Sequence, residues 1–135
     1  MARRRTDTEE RLQKYAALYR ELAVELGAVG YIWNGTVTRE MLTCGRNDCA
    51  CHKDRARRHG PYSYWRTKVA GKSVSRLLDP EEADLLEAWI QNRRKLERLR
   101  REMLAVSHKV ARLLLGKVKA QAGTSRERGR RRADA

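Results

Sequence analysis

All three cysteines of the 135-residue chain fall between positions 44 and 51, as Cys44, Cys49 and Cys51. His52 follows directly, and His59 comes seven positions later. Thiolates and imidazoles are the donors a structural zinc ion takes, four at a time and in a tetrahedron. Cys44 and Cys49 bracket Gly-Arg-Asn-Asp, a run of turn formers that lets the two thiols meet. Cys51 can return to the same ion if the backbone curls. His59 stands just before Gly60-Pro61, where a loop stops and a strand begins, and it is the preferred fourth ligand. His52 is its competitor, disfavoured because bonding to Cys51 restricts its geometry. The expected ligands are therefore Cys44, Cys49, Cys51 and His59, with Zn2+ as the cofactor. The spacing is not that of a standard zinc finger.

Two other readings of the thiols are weaker. Free cysteine packs well as a small apolar residue, but the surrounding Arg46, Asn47, Asp48, Lys53, Asp54 and Arg55 supply little to pack against. A nucleophilic Cys–His pair needs one thiol, and three neighbouring thiols would invite disulfides. No catalytic residue is expected.

Positive charge surrounds the cluster. The chain carries 31 Lys and Arg against 17 Asp and Glu, a formal net charge of +14. Solubility does not require that excess, and it adds self-repulsion. A polyanionic partner explains it, which points to DNA or RNA. The candidate contacts are Arg46, Arg55, Arg57 and Arg58 in the loop and Tyr62, Tyr64, Arg66 and Lys68 on the following strand. The cations would neutralise phosphates and the tyrosines would stack on bases. The plainer alternatives are a solvated basic loop and ordinary sheet packing. Residue types of a tyrosine strand-transfer site are present, but all come from one short segment.

These residues need elements to hold them. Thr6 with Glu9, or Asp7 with Glu10, has capping-box spacing. Leu12, Tyr15, Tyr19, Leu22 and Leu26 recur at three and four, which predicts an amphipathic helix, with Gly27 as its C′ residue. Asn34-Gly35, between two β-prone triplets, predicts a hairpin. A second turn at Ala70-Gly71 would pair Val69 with Lys72, placing Tyr62, Tyr64, Arg66 and Lys68 on one face of the sheet. Asp79 then caps a helix opened by Pro80. Trp89, Leu96, Met103 and Val110 form one heptad row along it, and Leu85, Asn92, Leu99, Val106 and Leu113 the other. That pattern suits a coiled coil, with Asn92 setting register, either between the two helices or in a homodimer.

The pattern Cys-Gly-x3-Cys-x-Cys at 44–51, His-Gly-Pro-Tyr at 59–62 and Gly-Lys-Ser at 71–73 resembles a family of small uncharacterised prokaryotic proteins. That family is a domain of unknown function, so the resemblance implies no activity. It does imply that the cysteines and the His-Gly-Pro-Tyr turn belong to one site. Gly71-Lys72-Ser73 is not a phosphate loop, since the upstream glycine spacing and the following helix are missing.

The expected architecture is α+β: an N-terminal helix, two β-hairpins joined by a Cys/His zinc knuckle, and a long C-terminal coiled-coil-like helix. One domain should span 6–115, between a disordered basic arm at 1–5 and a disordered basic tail at 116–135. No apolar run reaches a membrane span and no signal peptide is evident, so a cytoplasmic protein is expected. The functional expectation is a non-catalytic zinc protein that binds nucleic acid. The alternative is a coiled-coil assembly subunit in which zinc is purely structural.

Overall fold

A computed structural model describes the backbone of residues 6–133 and the side chains of 6–116. In chain order the elements are helix α1 (Asp7–Gly27), strands β1 (Thr36–Leu42), β2 (His59–Val69) and β3 (Lys72–Leu78), and helix α2 (Pro80–Ala133). Two short 3-10 turns, Ala50–His52 and Arg55–Arg57, lie between β1 and β2. The α+β class and this order of helix, antiparallel sheet and long helix agree with the sequence. The chain forms two compact units, one from the segment through Ala28 with Glu97 onward, the other from Val29–Leu96.

In the first unit, α1 begins with a capping box. Thr6 Oγ1 accepts from the Glu9 N–H at 3.3 Å, and the Glu9 carboxylate accepts from the Thr6 N–H at 3.2 Å. The helix closes with the Ala28 N–H on the Glu25 carbonyl at 3.1 Å. Gly27 is the last helical residue, not the left-handed residue beyond the helix expected from the sequence. Leu22 of α1 and Leu99 and Val106 of α2 are buried. Met103, Val110 and Leu113 are half-buried, so the two heptad rows mark the inward side of α2 in this unit. The helix continues to Ala133, beyond the boundary at 115 read from the sequence. Gly116 disfavours helix by only about 1 kcal/mol relative to alanine, which does not end a helix by itself. The arm at 1–5 lies outside the described residues, as do the side chains of the tail.

The second unit holds the sheet, an antiparallel meander in the order β1-β2-β3. Strands β2 and β3 meet in the expected register, with Val69 opposite Lys72. Ala70 and Gly71 both take positive φ, 49° and 80°, as a two-residue hairpin turn requires. The first hairpin differs from expectation. Residues 31–34 form no strand, and β1 pairs with β2, with Val37 opposite Trp65 and Thr38 opposite Tyr64. Gly35 does have the positive φ that Asn-Gly favours, 81°, but it bends the chain into β1.

Helix α2 explains that difference by taking over the backbone before Gly35. The Trp33 N–H donates to the Trp89 carbonyl at 3.2 Å, Asn92 Nδ2 donates to the Tyr31 carbonyl at 2.8 Å, and Arg93 donates to the Gly35 carbonyl at 3.2 Å. Trp33 also packs against Trp65 and Trp89, with ring centroids 5.8 and 6.2 Å away. Burying these aromatic surfaces outweighs a local strand pairing. Asn92, read from the sequence as a coiled-coil register residue, uses its amide to hold this segment.

One side of the sheet faces the start of α2. Arg39 bridges to Asp84 at 2.9 Å and to Glu87 at 2.7 Å, and Arg76 reaches Glu82 at 3.5 Å. Leu78, Ala83 and Ile90 are buried. Asp79 caps α2 as expected, accepting from the Glu82 N–H at 2.8 Å, while Glu82 accepts from the Asp79 N–H at 3.3 Å. Among the described residues, no helix is long and apolar enough to cross a membrane.

Candidate metal centre and open sheet face

The loop between β1 and β2 curls as the cysteine spacing demands. The Cys49 N–H donates to the Arg46 carbonyl at 3.3 Å, closing a turn over Asn47-Asp48. The 3-10 turn at Ala50–His52 follows, with the His52 N–H on the Cys49 carbonyl at 3.2 Å. It brings Cys51 back under Cys44, and their Sγ atoms lie 3.6 Å apart. Asp54 caps the second 3-10 turn through the Ala56 N–H at 3.0 Å. The chain then enters β2 at His59, whose Nε2 lies 3.5 Å from Cys49 Sγ.

The donor atoms of Cys44, Cys49, Cys51 and His59 all lie within 4.8 Å of one another, close enough to hold one metal ion. Cys51 is buried, at 2 % exposure, Cys44 and Cys49 are half-buried, and His59 is exposed. His52 points elsewhere, and its Nε2 bonds the Cys44 carbonyl at 2.9 Å. It steadies the backbone of a candidate ligand and does not join the four.

The thiols differ in acidity. The Cys51 N–H, the His59 ring and the neighbouring thiols stabilise the Cys49 thiolate, lowering its pKa to about 6. Cys51 is pushed up. The Cys44 N–H on its sulfur, at 3.4 Å, favours the thiolate, but burial and the adjacent thiols outweigh it. A thiolate already favoured at Cys49 is the form that binds metal.

Beside this loop the sheet presents its other face. Tyr62, Tyr64, Arg66 and Lys68 of β2 share that face with Thr36, Thr38 and Glu40 of β1 and Ser73, Ser75 and Leu77 of β3, by strand alternation and register. Tyr62 is 40 % exposed and Leu77 58 %. Arg66 donates to both oxygens of Glu40 and to Thr38 Oγ1 at 3.0 Å, and its Cζ lies 5.0 Å over the Tyr64 ring. Glu40 holds the Arg66 guanidinium firmly protonated. The same pair, through its hydrogen bonds, keeps the Glu40 carboxyl below the usual carboxylate range.

A family model described as a domain of unknown function, DUF6788, matches residues 5–88. The chain belongs to this family. The match contains all four candidate metal ligands and the whole sheet. No curated protein and no solved structure matches the chain.

The other candidate contacts are less uniform. Arg46 and Arg55 are exposed loop cations with no ion pair among the described residues, whereas Arg57 lies 3.7 Å from Asp54. Arg58 is half-buried, with its Nε lacking a partner. Glu40 and Gly60 take roles that the sequence did not assign to them. Glu40 holds Arg66, which alternation would have revealed only if β1 had been paired with β2. Gly60 has φ 128°, and a Cβ there would lie 2.8 Å from the Glu40 carbonyl oxygen and 2.9 Å from the Tyr62 nitrogen. Only glycine fits between His59 and the open face.

Proposed function

We propose that the protein is a small zinc-binding, nucleic-acid-binding protein without catalysis of its own. The geometry of the four donors supports zinc. A tetrahedral ion with bonds of about 2.3 Å to sulfur and about 2.0 Å to nitrogen separates two thiolates by about 3.8 Å and a thiolate from an imidazole by about 3.5 Å. The Cys44–Cys51 and Cys49–His59 separations are 3.6 Å and 3.5 Å, and all four donors lie within 4.8 Å of one another, so closing on an ion would draw them in slightly. Three thiolates and one imidazole fill a tetrahedron and leave no position for substrate, which is the pattern of a structural site. Such an ion would clamp the β1–β2 loop to the start of β2, in a unit whose buried apolar side chains are few.

The single observation that carries the nucleic-acid reading is the shared open face of Tyr62, Tyr64, Arg66 and Lys68, on the strand that also supplies the ligand His59. Aromatic and basic groups on one exposed surface suit bases and phosphates together. The test is fluorescence anisotropy with labelled DNA and RNA across a salt series. Binding that falls steeply between about 50 and 200 mM salt supports the reading. Absence of binding at low salt overturns it.

An assembly subunit is the second reading, and one feature of the first unit favours it. Leu12, Tyr15, Ala16 and Tyr19 of α1 and Val110, Ala111 and Leu114 of α2 line an apolar groove of about 510 Å³. Two helices with so few buried side chains gain from a second copy of the chain laid into that groove. A monomer by sedimentation at micromolar concentration would eliminate this reading.

A further inference from the structure

We infer that the open sheet face takes single-stranded nucleic acid, with one base stacking on Tyr62 and a neighbouring one on the Arg66–Tyr64 pair. This deepens the nucleic-acid reading above and rests on it.

The first argument is the state of Arg66. Three of its five N–H donors are engaged by Glu40 and Thr38, and its charge is met by Glu40. With its charge offset in this way it is a weakened phosphate contact. What it retains is a guanidinium plane whose Cζ lies 5.0 Å from the centre of the Tyr64 ring, and both groups are of the kind on which unstacked bases settle. Glu40 and Thr38 hold that plane in place before any ligand arrives, so less ordering is left for binding to impose.

Spacing supplies the second argument. Tyr62 and Tyr64 are two residues apart on one strand, so their side chains leave the backbone about 6.8 Å apart. Successive bases in a stacked strand are separated by about 3.4 Å. Two platforms at twice that distance can each take a base only if the strand is splayed, which a duplex does not permit.

Charge supplies the third. A duplex read through its major groove needs free donors aimed at base edges. On this face Lys68 is the one cation without an ion pair among the described residues, since Lys72 and Arg76 alternate to the other side. Lys68 and the loop cations Arg46 and Arg55 suffice to follow a backbone, while the aromatic planes take the bases.

The experiment measures anisotropy of labelled single-stranded DNA, single-stranded RNA and a hairpin duplex of the same sequence with metal-loaded full-length protein. Single strands of either sugar should bind at least about tenfold more tightly than the duplex. Tyr62→Ala should weaken single-strand binding by about 5- to 150-fold, while Tyr62→Phe stays close to the parent. Glu40→Gln should weaken single-strand binding yet steepen its salt dependence, because a freed Arg66 becomes available to phosphate. Metal content and circular dichroism show that each variant is folded. Equal or tighter duplex binding, or unchanged affinity in Tyr62→Ala, overturns the inference and leaves the nucleic-acid reading standing. No binding of any strand at low salt overturns both.

Discussion

His59 Nε2 lies 3.5 Å from Cys49 Sγ although ten residues separate them in the chain. The imidazole comes from the first residue of β2 and the thiol from the loop that precedes it, so the candidate centre joins a strand to its own approach. Loop and sheet should therefore stand or fall together when the donors are changed.

Protein purified without a histidine tag should contain one tightly held zinc per chain by elemental analysis. Cys49→Ser or Cys51→Ser should abolish it and lower the melting temperature, because the ion's binding energy is folding energy. His52→Ala should keep the one-to-one stoichiometry, with affinity reduced by no more than the about 10- to 100-fold typical of an outer partner. Loss of the metal in His52→Ala with retention in His59→Ala would reverse the ligand assignment.

Gly60→Ala should cost about 1–3 kcal/mol, since φ there is 128° and the added carbon meets the Glu40 carbonyl. Metal affinity should fall with it, because His59 is the adjacent residue. Gly45→Ala is the control, as a Cβ there has nothing within 4 Å. Denaturant melts of the two variants give the comparison.

Asn92→Leu should leave the oligomeric state unchanged and destabilise the second unit by about 1 kcal/mol, the usual net value of one hydrogen bond. The bond lost is that to the Tyr31 carbonyl at 2.8 Å. Tryptophan emission should shift as Trp33 loosens from Trp65 and Trp89. A change in sedimentation without that shift would restore the coiled-coil role of Asn92.

Ala70→Asn should stabilise the β2–β3 hairpin by up to about 1 kcal/mol. Ala70 sits at φ 49°, a region that asparagine tolerates better than alanine. A rise in melting temperature checks it.

The cap of α2 should weaken in acid. The Glu82 N–H, received at 2.8 Å, holds the Asp79 carboxyl below its usual 3.8. The unfolded chain therefore takes up that proton at higher pH than the folded one. The cap's contribution is complete above pH 3.8 and disappears as pH falls through the lower folded value. The melting-temperature gap between the parent and Asp79→Ala should be constant near neutrality and close in that acid range.

Several features were legible in the residues themselves. The capping box at Thr6, the cap at Asp79, the Ala70-Gly71 turn, the β2–β3 register and the four donors all follow from rules that act over a few positions. Turn formers bring Cys44 and Cys49 together, and alternation puts Tyr62, Tyr64, Arg66 and Lys68 on one side, whatever the rest of the chain does. Other features required distant surfaces to choose one another. Asn34-Gly35 marks a bend equally well in a hairpin or at the entrance to β1, and the tilted packing of Trp33 against Trp65 and Trp89 settled which. The Glu40–Arg66 pair exists only because β1 lies against β2. Local sterics and hydrogen bonding determined the turns, caps and faces. The pairing of elements was decided in the folded protein, where burial of aromatic area outweighed the local preference of a single dipeptide.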